Sequence, residues 1–403
     1  MSALRGQADS LSPTVTAGAA SESPGKGSYR RIVVKAGTNV LAGGNLQGGP
    51  DTAVMADLAE QIARLATEDG VQVLLVTSGA IAAGRQAIAE KIALPAVPDI
   101  PTRQVLAALG QNRLMAAYAE LFERQGIAVS QVLLTIKDMA QRQSYLNIRN
   151  TLLSLLDLGV VPVVNENDVV AADEIGEVFG DNDRLSSLIA ALIDADLLVI
   201  LSDVDGLYTA DPKLDPTATR IESVDFVDEQ VAAMAGEHRN DWARGGMPTK
   251  LDAARLVTTS GIAMTICRGR DPDVVVKAAR GERVGTFFRP ASSKPEARKR
   301  WMLSRVGDGD WGQVVVDDGA VSALRRNGVS LLAAGIRSVV GGFERGDIIY
   351  ITDGGGEHIA CGIANYSAGD VQRIRGMRSD RIVDTLGYHY GQEVVHRNNL
   401  VLL

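Results

Sequence analysis

The chain has 403 residues, of which 46% are hydrophobic and 22% are charged, and its formal net charge is −8. A chain of this length exceeds what one hydrophobic core usually holds, so we expect two domains. The acidic balance argues against a general binder of nucleic acid and leaves small substrates open.

The first 28 residues are rich in Ser, Gly, Ala and Pro and have no apolar periodicity. This composition predicts a disordered leader over residues 1–28, and it lacks the apolar core of a secretory signal. No apolar run in the chain reaches the length of a membrane-spanning helix. We therefore expect a cytoplasmic protein that makes no use of a membrane.

From Arg31 onward, strand-like and helix-like patterns alternate along the chain. The strand patterns cover Arg31 to Lys35, Val71 to Val76, Ile127 to Leu134, Val160 to Val164, Leu197 to Leu201 and Ile262 to Ile266. The helical patterns between them include Gln104 to Arg124, Tyr145 to Leu158, Leu185 to Ile193 and Lys250 to Thr259. Repeated βα units predict an α/β domain over residues 29–290, built as a three-layer sandwich around a mainly parallel sheet.

The pattern changes near the carboxyl terminus. Residues 291–300 are charged and contain a proline, which indicates a linker. Short β-rich runs such as Gln313 to Val316 and Ile348 to Ile351 then follow, separated by glycines. We expect a small β-rich second domain over residues 301–403.

Two clusters of acidic and amide side chains lie near buried strands of the first domain. Asn165 to Asp168 directly follows the apolar run Val160 to Val164, and Gly180 to Asp183 comes shortly after it. Polar groups at the carboxyl end of a buried strand mark the crevice where open α/β sheets bind ligands. From these residues alone, a ligand site, a metal site and a turn rich in Asn and Asp all remain open.

Three glycine-containing loops carry lysine or hydroxyl side chains. They are Lys35 to Thr38, Ser78 to Ala80 and Gly245 to Lys250, the last placed just before a helix expected to begin near Leu251. Glycines allow a backbone to approach an anion, helix amino termini offer free N–H groups, and lysine adds positive charge. Together the loops suit a polyphosphate, although each alone is typical of a turn. The chain contains neither a P-loop nor a strand-linked GxGxxG motif.

These motifs, taken together and in order, resemble the amino acid kinase family. The similarity rests on Val33 to Thr38, Val76 to Gly84, Val163 to Asp168, Gly180 to Asp183 and Gly245 to Lys250, and it extends from Arg31 to the end of the chain. It is strongest to those members that phosphorylate glutamate. The tail, with Arg298 to Trp301, Asp318 to Ala320, Ser330 to Leu332 and Gly346-Asp347, resembles a PUA domain.

The resemblance implies the reaction. The γ-phosphoryl group of ATP would pass to the side-chain carboxylate of L-glutamate, giving glutamyl 5-phosphate, the first step of proline biosynthesis. ATP and Mg²⁺ would be required, with the metal bridging phosphate oxygens rather than held by dedicated protein ligands. Family members also lead us to expect feedback inhibition by proline and a homo-oligomer, either a dimer or a tetramer.

The resemblance also assigns site residues. Lys35 would lie near the transferred phosphoryl group and Lys250 near the nucleotide phosphates, while Asp183 would hold both lysines charged and close. Glutamate would be bound by Ser78, Asp168 and Asn182, with Asn165 close by. The ATP-binding stretches would be Lys35, Ser202, Asp203, Arg244, Gly245, Gly246, Met247, Pro248, Thr249 and Lys250. Arg244 and Pro248 depart from the family pattern, which usually has Thr and a small residue there.

Two other functions stay open at this stage. PUA domains occur in RNA-modifying enzymes, but residues 301–403 carry ten Arg, no Lys and twelve Asp plus Glu, a balance of −2. That charge disfavours RNA binding. A related kinase acting on carbamate, aspartate, N-acetylglutamate or UMP is the other alternative. Asp203 to Gly206 lacks the ligand spacing of a calcium loop, so we interpret it as a turn.

Overall fold

The computed structural model describes residues 29–42, 49–89, 99–171, 182–236, 246–291, 293–294, 296–297, 312–327 and 329–403. Several positions from the sequence analysis lie outside this part of the chain. They are the leader, half of the expected linker, and Gly180, Asp181, Arg244 and Gly245.

The first domain is built on a sheet of eight described strands in the order β3-β4-β2-β1-β5-β7-β8-β6. The strands are β1 (Arg31–Ala36), β2 (Gln72–Thr77), β3 (Val129–Leu134), β4 (Val161–Glu166), β5 (Leu197–Ser202), β6 (Ser223–Val224), β7 (Ala263–Arg268) and β8 (Thr286–Phe288). All neighbours pair in parallel except β7 and β8, which are antiparallel. The expected mainly parallel sheet is confirmed. The antiparallel β8 gave too short an apolar run to be predicted.

Helices cover both faces of this sheet. They are α1 (Thr38–Leu41), α2 (Thr52–Glu68), α3 (Ala80–Ile88), α4 (Ile100–Glu123), α5 (Ile136–Ala140), α6 (Arg142–Asp157), α7 (Asn182–Leu192), α8 (Glu229–Met234), α9 (Met247–Thr259) and α10 (Val274–Ala279). One core forms where α2, α4 and α10 pack on the sheet, and a second forms under α6, α7 and α9. The predicted three-layer sandwich is therefore confirmed.

Strand β1 explains why both faces need covering. Ile32 and Val34 belong to the first core, whereas Val33 belongs to the second, and all three are fully buried. Successive side chains of a strand point to opposite faces, so a run of apolar residues has to be buried on both sides.

Two helices begin earlier than their apolar periodicity indicates. Helix α7 begins at Asn182, three residues before Leu185, and α9 begins at Met247 instead of near Leu251. In both helices the first turn is built from polar residues or from residues outside the apolar period. Pro248 is tolerated in the first turn of α9 because backbone N–H groups at that position have no partner within a helix. Lys250 therefore lies in the first turn of α9 rather than in a loop before it.

The carboxyl-terminal domain is β-rich, as expected. Its five-stranded sheet has the order β11-β9-β12-β13-β15, and a separate pair joins β10 and β14. The elements are β9 (Gln313–Val316), α11 (Asp318–Asn327), β10 (Leu331–Leu332), β11 (Ile336–Val340), β12 (Ile348–Thr352), β13 (His358–Ile363), α12 (Ala368–Ile374), α13 (Ile382–Leu386), β14 (Glu393–Val395) and β15 (Leu400–Leu402). It has its own core, and a small apolar cluster around Leu146 of α6 joins it to the first domain.

Among the described residues, no helix combines the length and the apolar character needed to cross a bilayer.

Candidate active site

The carboxyl ends of four adjacent parallel strands bring the polar motifs together. In sheet order β4-β2-β1-β5, these strands end close to Asn165, Ser78, Lys35 and Ser202. Parallel strands in register place such residues along one edge of the sheet, so motifs up to 167 residues apart in sequence meet there. The same edge receives the amino termini of α7 and α9, which carry Asp183 and Lys250.

A buried carboxylate lies between two lysines at this edge. Asp183 Oδ1 lies 2.6 Å from Lys35 Nζ, and Asp183 Oδ2 lies 3.1 Å from Lys250 Nζ. The Asp183 side chain is 0% exposed, and the lysine side chains are 9% and 11% exposed. The structure therefore brings Lys35, Asp183 and Lys250 into direct contact.

The electrostatics keep this cluster ionised. Burial would raise the pKa of the Asp183 carboxyl, but the charges of Lys35 and Lys250, together with hydrogen bonds from Lys35 and Thr249, outweigh burial. The net result is a pKa well below the usual range for aspartate. The cluster carries one negative and two positive charges, so it holds one excess positive charge available to an anion.

The backbone around the lysines leaves room for such an anion. A Cβ atom added at Gly37 would lie 3.1 Å from Lys35 Nζ, so this glycine keeps the space beside the ammonium group open. Gly246 is the residue before α9, and Thr249 reaches back to it while donating a hydrogen bond of 2.8 Å to Asp183 Oδ2. The first turn of α9 is thereby fixed to the lysine cluster.

Uncharged amide groups lie next to the lysine cluster. Asn182 Nδ2 donates to the Thr77 carbonyl at 2.8 Å, to Ser78 Oγ at 2.7 Å and to Asn165 Oδ1 at 3.2 Å. Because Ser78 Oγ accepts from Asn182, its own hydrogen is left to donate to a ligand. Asn165 Nδ2 in turn donates to Gln111 Oε1 at 2.9 Å. Ser78, Asn165 and Asn182 are thus brought together by hydrogen bonds.

Asp168 lies beyond β4 in a different electrostatic environment. Burial raises its pKa to about 6, and the positive charge of Arg103 opposes this rise only in part. A half-buried carboxylate of this kind gains from a cationic ligand, which would favour its ionised form. None of the described hydrogen bonds or ion pairs links Asp168 to Ser78, Asn165 or Asn182.

The nucleotide-binding stretch is described only in part. Ser202 is buried at the end of β5 and donates to Asp203 Oδ1 at 3.2 Å, while Gly246 to Lys250 form the start of α9. Strands β1 and β5 are neighbours, and Leu201 of β5 is opposite Ala36 of β1. Ser202, the next residue of β5, therefore lies one strand away from Lys35. Arg244 and Gly245 fall outside the described residues.

Sequence reasoning missed Gln111 and Arg103, which both lie on α4. The missed signal for Gln111 is its position within the buried face of that helix, where Ala107, Gly110 and Leu114 recur at helical spacing. A glutamine within such an apolar stripe needs a polar partner. Arg103, in the first turn of α4, offers no comparable signal, because an arginine near the start of a helix is typical of a protein surface.

The arrangement suits two neighbouring ligands. Two lysines with excess positive charge can hold phosphate oxygens and stabilise charge that builds on a transferred phosphoryl group. The adjoining amides and hydroxyl can bind a small acid without the repulsion that carboxylates alone would exert. Within the described residues, no group of three or more His, Cys, Asp or Glu side chains could hold a metal ion.

The chain is similar to known proteins over both of its domains. The sequence model of the amino acid kinase family matches residues 30–268, and that of the PUA domain matches residues 312–386. Glutamate 5-kinase of Dehalococcoides mccartyi (strain CBDB1) is 49% identical over 377 residues, which cover 93% of this chain and 99% of that protein. Glutamate 5-kinase of Herpetosiphon aurantiacus is 48% identical over 375 residues, which cover 93% and 98% of the two chains.

Proposed function

The chain belongs to the amino acid kinase family and, within it, to the glutamate 5-kinases, and on that premise we propose how its site works. The protein is a phosphotransferase that phosphorylates the side-chain carboxylate of L-glutamate, the first step of proline biosynthesis. ATP is the phosphoryl donor, as in kinases of this family. The roles of individual residues below are our proposals.

The proposed chemistry needs cations rather than a general base. The glutamate side chain, with an ordinary pKa of about 4.3, is already a nucleophile at neutral pH. Two anions must nevertheless meet, and negative charge develops on the phosphoryl group as it is transferred. Lys35 and Lys250 would neutralise this charge, with Lys35 nearer the transferred group and Lys250 nearer the nucleotide phosphates. Their placement beside Gly37 and at the start of α9 supports these roles.

Asp183 would act as the organiser of the two lysines. It holds both ammonium groups at fixed positions before substrates arrive, so no reorganisation is required during the reaction. Its buried contacts at 2.6 and 3.1 Å are the observation that best supports the proposed function, because they set two cations at one edge of the sheet. Together, Asp183 and the two lysines retain a net positive charge that can attract the phosphates of ATP.

Glutamate would bind to the uncharged groups beside the lysines. The Ser78 hydroxyl can donate to a carboxylate, and Asn182 and Asn165 are hydrogen-bonded beside it. Asp168 follows the end of β4 by two residues. Asp168 would bind the α-ammonium group. The raised pKa of its carboxyl supports this role, because a cationic ligand would favour the ionised form of the buried carboxylate. Ionisation of Asp168 would then accompany glutamate binding.

ATP would extend from the lysines along β5 and α9, contacting Lys35, Ser202, Asp203, Gly246 to Lys250 and, outside the described residues, Arg244 and Gly245. Because Asp183 contacts both lysines, we propose that Mg²⁺ would be bound mainly through ATP rather than by dedicated protein ligands. When bound there, the metal supplies further neutralisation of phosphate charge.

Two properties of the whole protein remain proposals. Inhibition by proline would appear as a rise in the glutamate concentration needed for half-saturation. A homo-oligomer formed through the first domain is supported by exposed apolar side chains on α4, namely Ile100, Val105 and Leu109. An unchanged glutamate saturation curve with proline would reject the first proposal, and a monomer mass by light scattering would reject the second.

The proposed function is tested by ADP release with a panel of acceptors. Purified protein with ATP and Mg²⁺ should release ADP rapidly with L-glutamate and slowly with aspartate, N-acetylglutamate, carbamate and UMP. N-acetylglutamate is the sharpest control, because it retains the side-chain carboxylate and lacks the ammonium group that Asp168 would bind. Activity with N-acetylglutamate and none with glutamate would reject the proposed acceptor.

A further inference from the structure

Three carboxamide side chains form a continuous hydrogen-bonded chain across the candidate site. Asn182 of α7 donates to Asn165 of β4 at 3.2 Å, and Asn165 donates to Gln111 of α4 at 2.9 Å. The first two belong to the motifs already discussed. Gln111 comes from a helix that carries none of those motifs.

Backbone groups fix the direction of this chain. The Thr77 carbonyl can only accept, so Asn182 must present its NH₂ group there, at 2.8 Å. The backbone N–H of Glu166 can only donate, so Asn165 must present its oxygen to it, at 2.9 Å. Asn165 therefore donates a hydrogen bond from its NH₂ group to Gln111, and Gln111 accepts it with Oε1. The amide orientations follow from these partners and do not rest on telling nitrogen from oxygen.

Each of the two amides at the ends of this hydrogen-bonded series has one polar atom without a partner among the described residues. Gln111 Nε2 is buried and has no hydrogen-bond partner among the described residues. At the other end of the series, Asn182 Oδ1 is also buried and has no hydrogen-bond partner among the residues that the structure describes. Buried polar atoms without partners are uncommon in folded proteins. The unused donor, Gln111 Nε2, suits a carboxylate of a small ligand.

The packing of α4 on α3 holds Gln111 in place. A Cβ atom added at Gly110 would lie 1.9 Å from the Ala80 carbonyl oxygen and 2.3 Å from the Gly84 nitrogen. Only a glycine allows the two helix backbones to approach this closely. Ala80 begins α3 two residues after Ser78, so the residue next to Gly110 is set beside the loop that follows β2.

We propose that Gln111 is a substrate-binding residue that donates a hydrogen bond from Nε2 to the α-carboxylate of glutamate. The proposal rests on the proposed function, which requires the side-chain carboxylate to approach the lysines. Asn182 adjoins Asp183, which contacts both lysines, whereas Gln111 is two links further along the amide chain. The α-carboxylate lies at the far end of glutamate from the reacting group. Gln111 is therefore placed to bind it.

Two substitutions separate substrate binding from support of Asn165. Gln111→Met removes both polar atoms and should raise the KM for glutamate about tenfold or more, with kcat within a few-fold and the KM for ATP unchanged. Gln111→Glu keeps an oxygen for Asn165 and replaces the free donor by an anionic oxygen. It should raise the KM for glutamate further than Gln111→Met does. If Gln111 only supports Asn165, Gln111→Glu will resemble the wild type, and the proposal fails.

A second acceptor identifies the carboxylate involved. L-Isoglutamine, the α-amide of glutamate, keeps the reacting carboxylate and the ammonium group. The wild type should favour glutamate over this amide at least about tenfold in kcat/KM, since the donor of Gln111 prefers a charged acceptor. Gln111→Met should reduce that preference, and Gln111→Glu should reduce it further, because its anionic oxygen can accept from the amide. A wild type that uses both acceptors equally overturns the proposal without any variant.

The exposed Gln125, just beyond the end of α4, provides the matched control. Gln125→Met makes the same chemical change close to the end of the same helix and should leave both KM values and the acceptor preference as in the wild type. Absence of glutamate-dependent ADP release in the wild type would reject the proposed function itself. Normal wild-type turnover with an unchanged acceptor preference in both Gln111 variants would reject only the role of Gln111.

Discussion

Replacing Asp183 by asparagine removes the one negative charge between two buried ammonium groups while preserving the shape of the side chain. At an effective dielectric constant of about 20, unit charges 2.6 and 3.1 Å apart attract by about 6 and about 5 kcal/mol. The cost of removing three charges from water offsets much of this attraction. Breaking a buried ion pair costs about 3–5 kcal/mol, which is the loss we expect in the free energy of unfolding.

Turnover should fall as well, by about 100-fold or more, because Lys35 and Lys250 would repel one another and leave the positions that suit the phosphoryl group. Phosphates can supply the missing negative charge, so saturating ATP should raise the unfolding temperature of Asp183→Asn more than that of the wild type.

Urea unfolding and steady-state ADP release measure these two effects. The control is Asp252→Asn, since Asp252 lies on α9, is 76% exposed and has its Arg255 partner at 3.7 Å. That variant should retain wild-type stability and turnover, because exposed pairs contribute little. The reasoning is refuted if Asp183→Asn unfolds within about 1 kcal/mol of the wild type and turns over at a similar rate.

Three further predictions concern other parts of the site. Lys35→Ala and Lys250→Ala should each lower turnover by orders of magnitude with the fold intact, as judged by circular dichroism; near-normal turnover in either would contradict the assigned role. The pKa of Asp168, raised to about 6, means that its contribution to stability is full below the unfolded value of about 3.9 and is lost as the pH rises through about 6. Glutamate binding needs the ionised carboxylate, so the KM for glutamate should fall as the pH rises through that value, and Asp168→Asn should abolish this step. Gly110→Ala should cost about 1–3 kcal/mol and raise the KM for glutamate, because the new methyl group would lie 1.9 Å from a backbone oxygen of α3; an unchanged unfolding midpoint would contradict the close packing.

The sheet was the most predictable part of the fold. Its central strands are buried on both faces, so each gives an uninterrupted apolar run that stands out from the helices. Strand β5 shows this well, because every residue from Leu197 to Ser202 is buried. The short strands β6 and β8 were not predictable, since two or three residues carry no periodic signal.

The helix starts at the site were harder to predict for a physical reason. Apolar periodicity reports the residues that face the core, and the first turns of α7 and α9 face the site instead. Asn182, Asp183 and Lys250 therefore interrupt the pattern at the places where the chemistry is proposed to occur. Such conflicts between local pattern and structure are expected at functional sites.

The lysine cluster could be predicted from sequence only through the resemblance to a known family. Lys35, Asp183 and Lys250 are separated by 148 and 67 residues, and no local pattern indicates that they meet. Gln111 was missed for a related reason, since its hydrogen-bond partner Asn165 is 54 residues away, and Asn182, which donates to Asn165, is 71 residues away. Its position in an apolar stripe was the available signal.

The central claim is that the side-chain carboxylate of glutamate receives the phosphoryl group at the site organised by Asp183. The most direct measurement traps the product with hydroxylamine, which converts an acyl phosphate to a stable hydroxamate, and locates the modified carboxyl by tandem mass spectrometry. The wild type should yield the γ-hydroxamate of glutamate in amounts equal to the ADP released, and Asp183→Asn should yield about 100-fold less. ADP release without hydroxamate, or modification of the α-carboxyl group, would contradict this account.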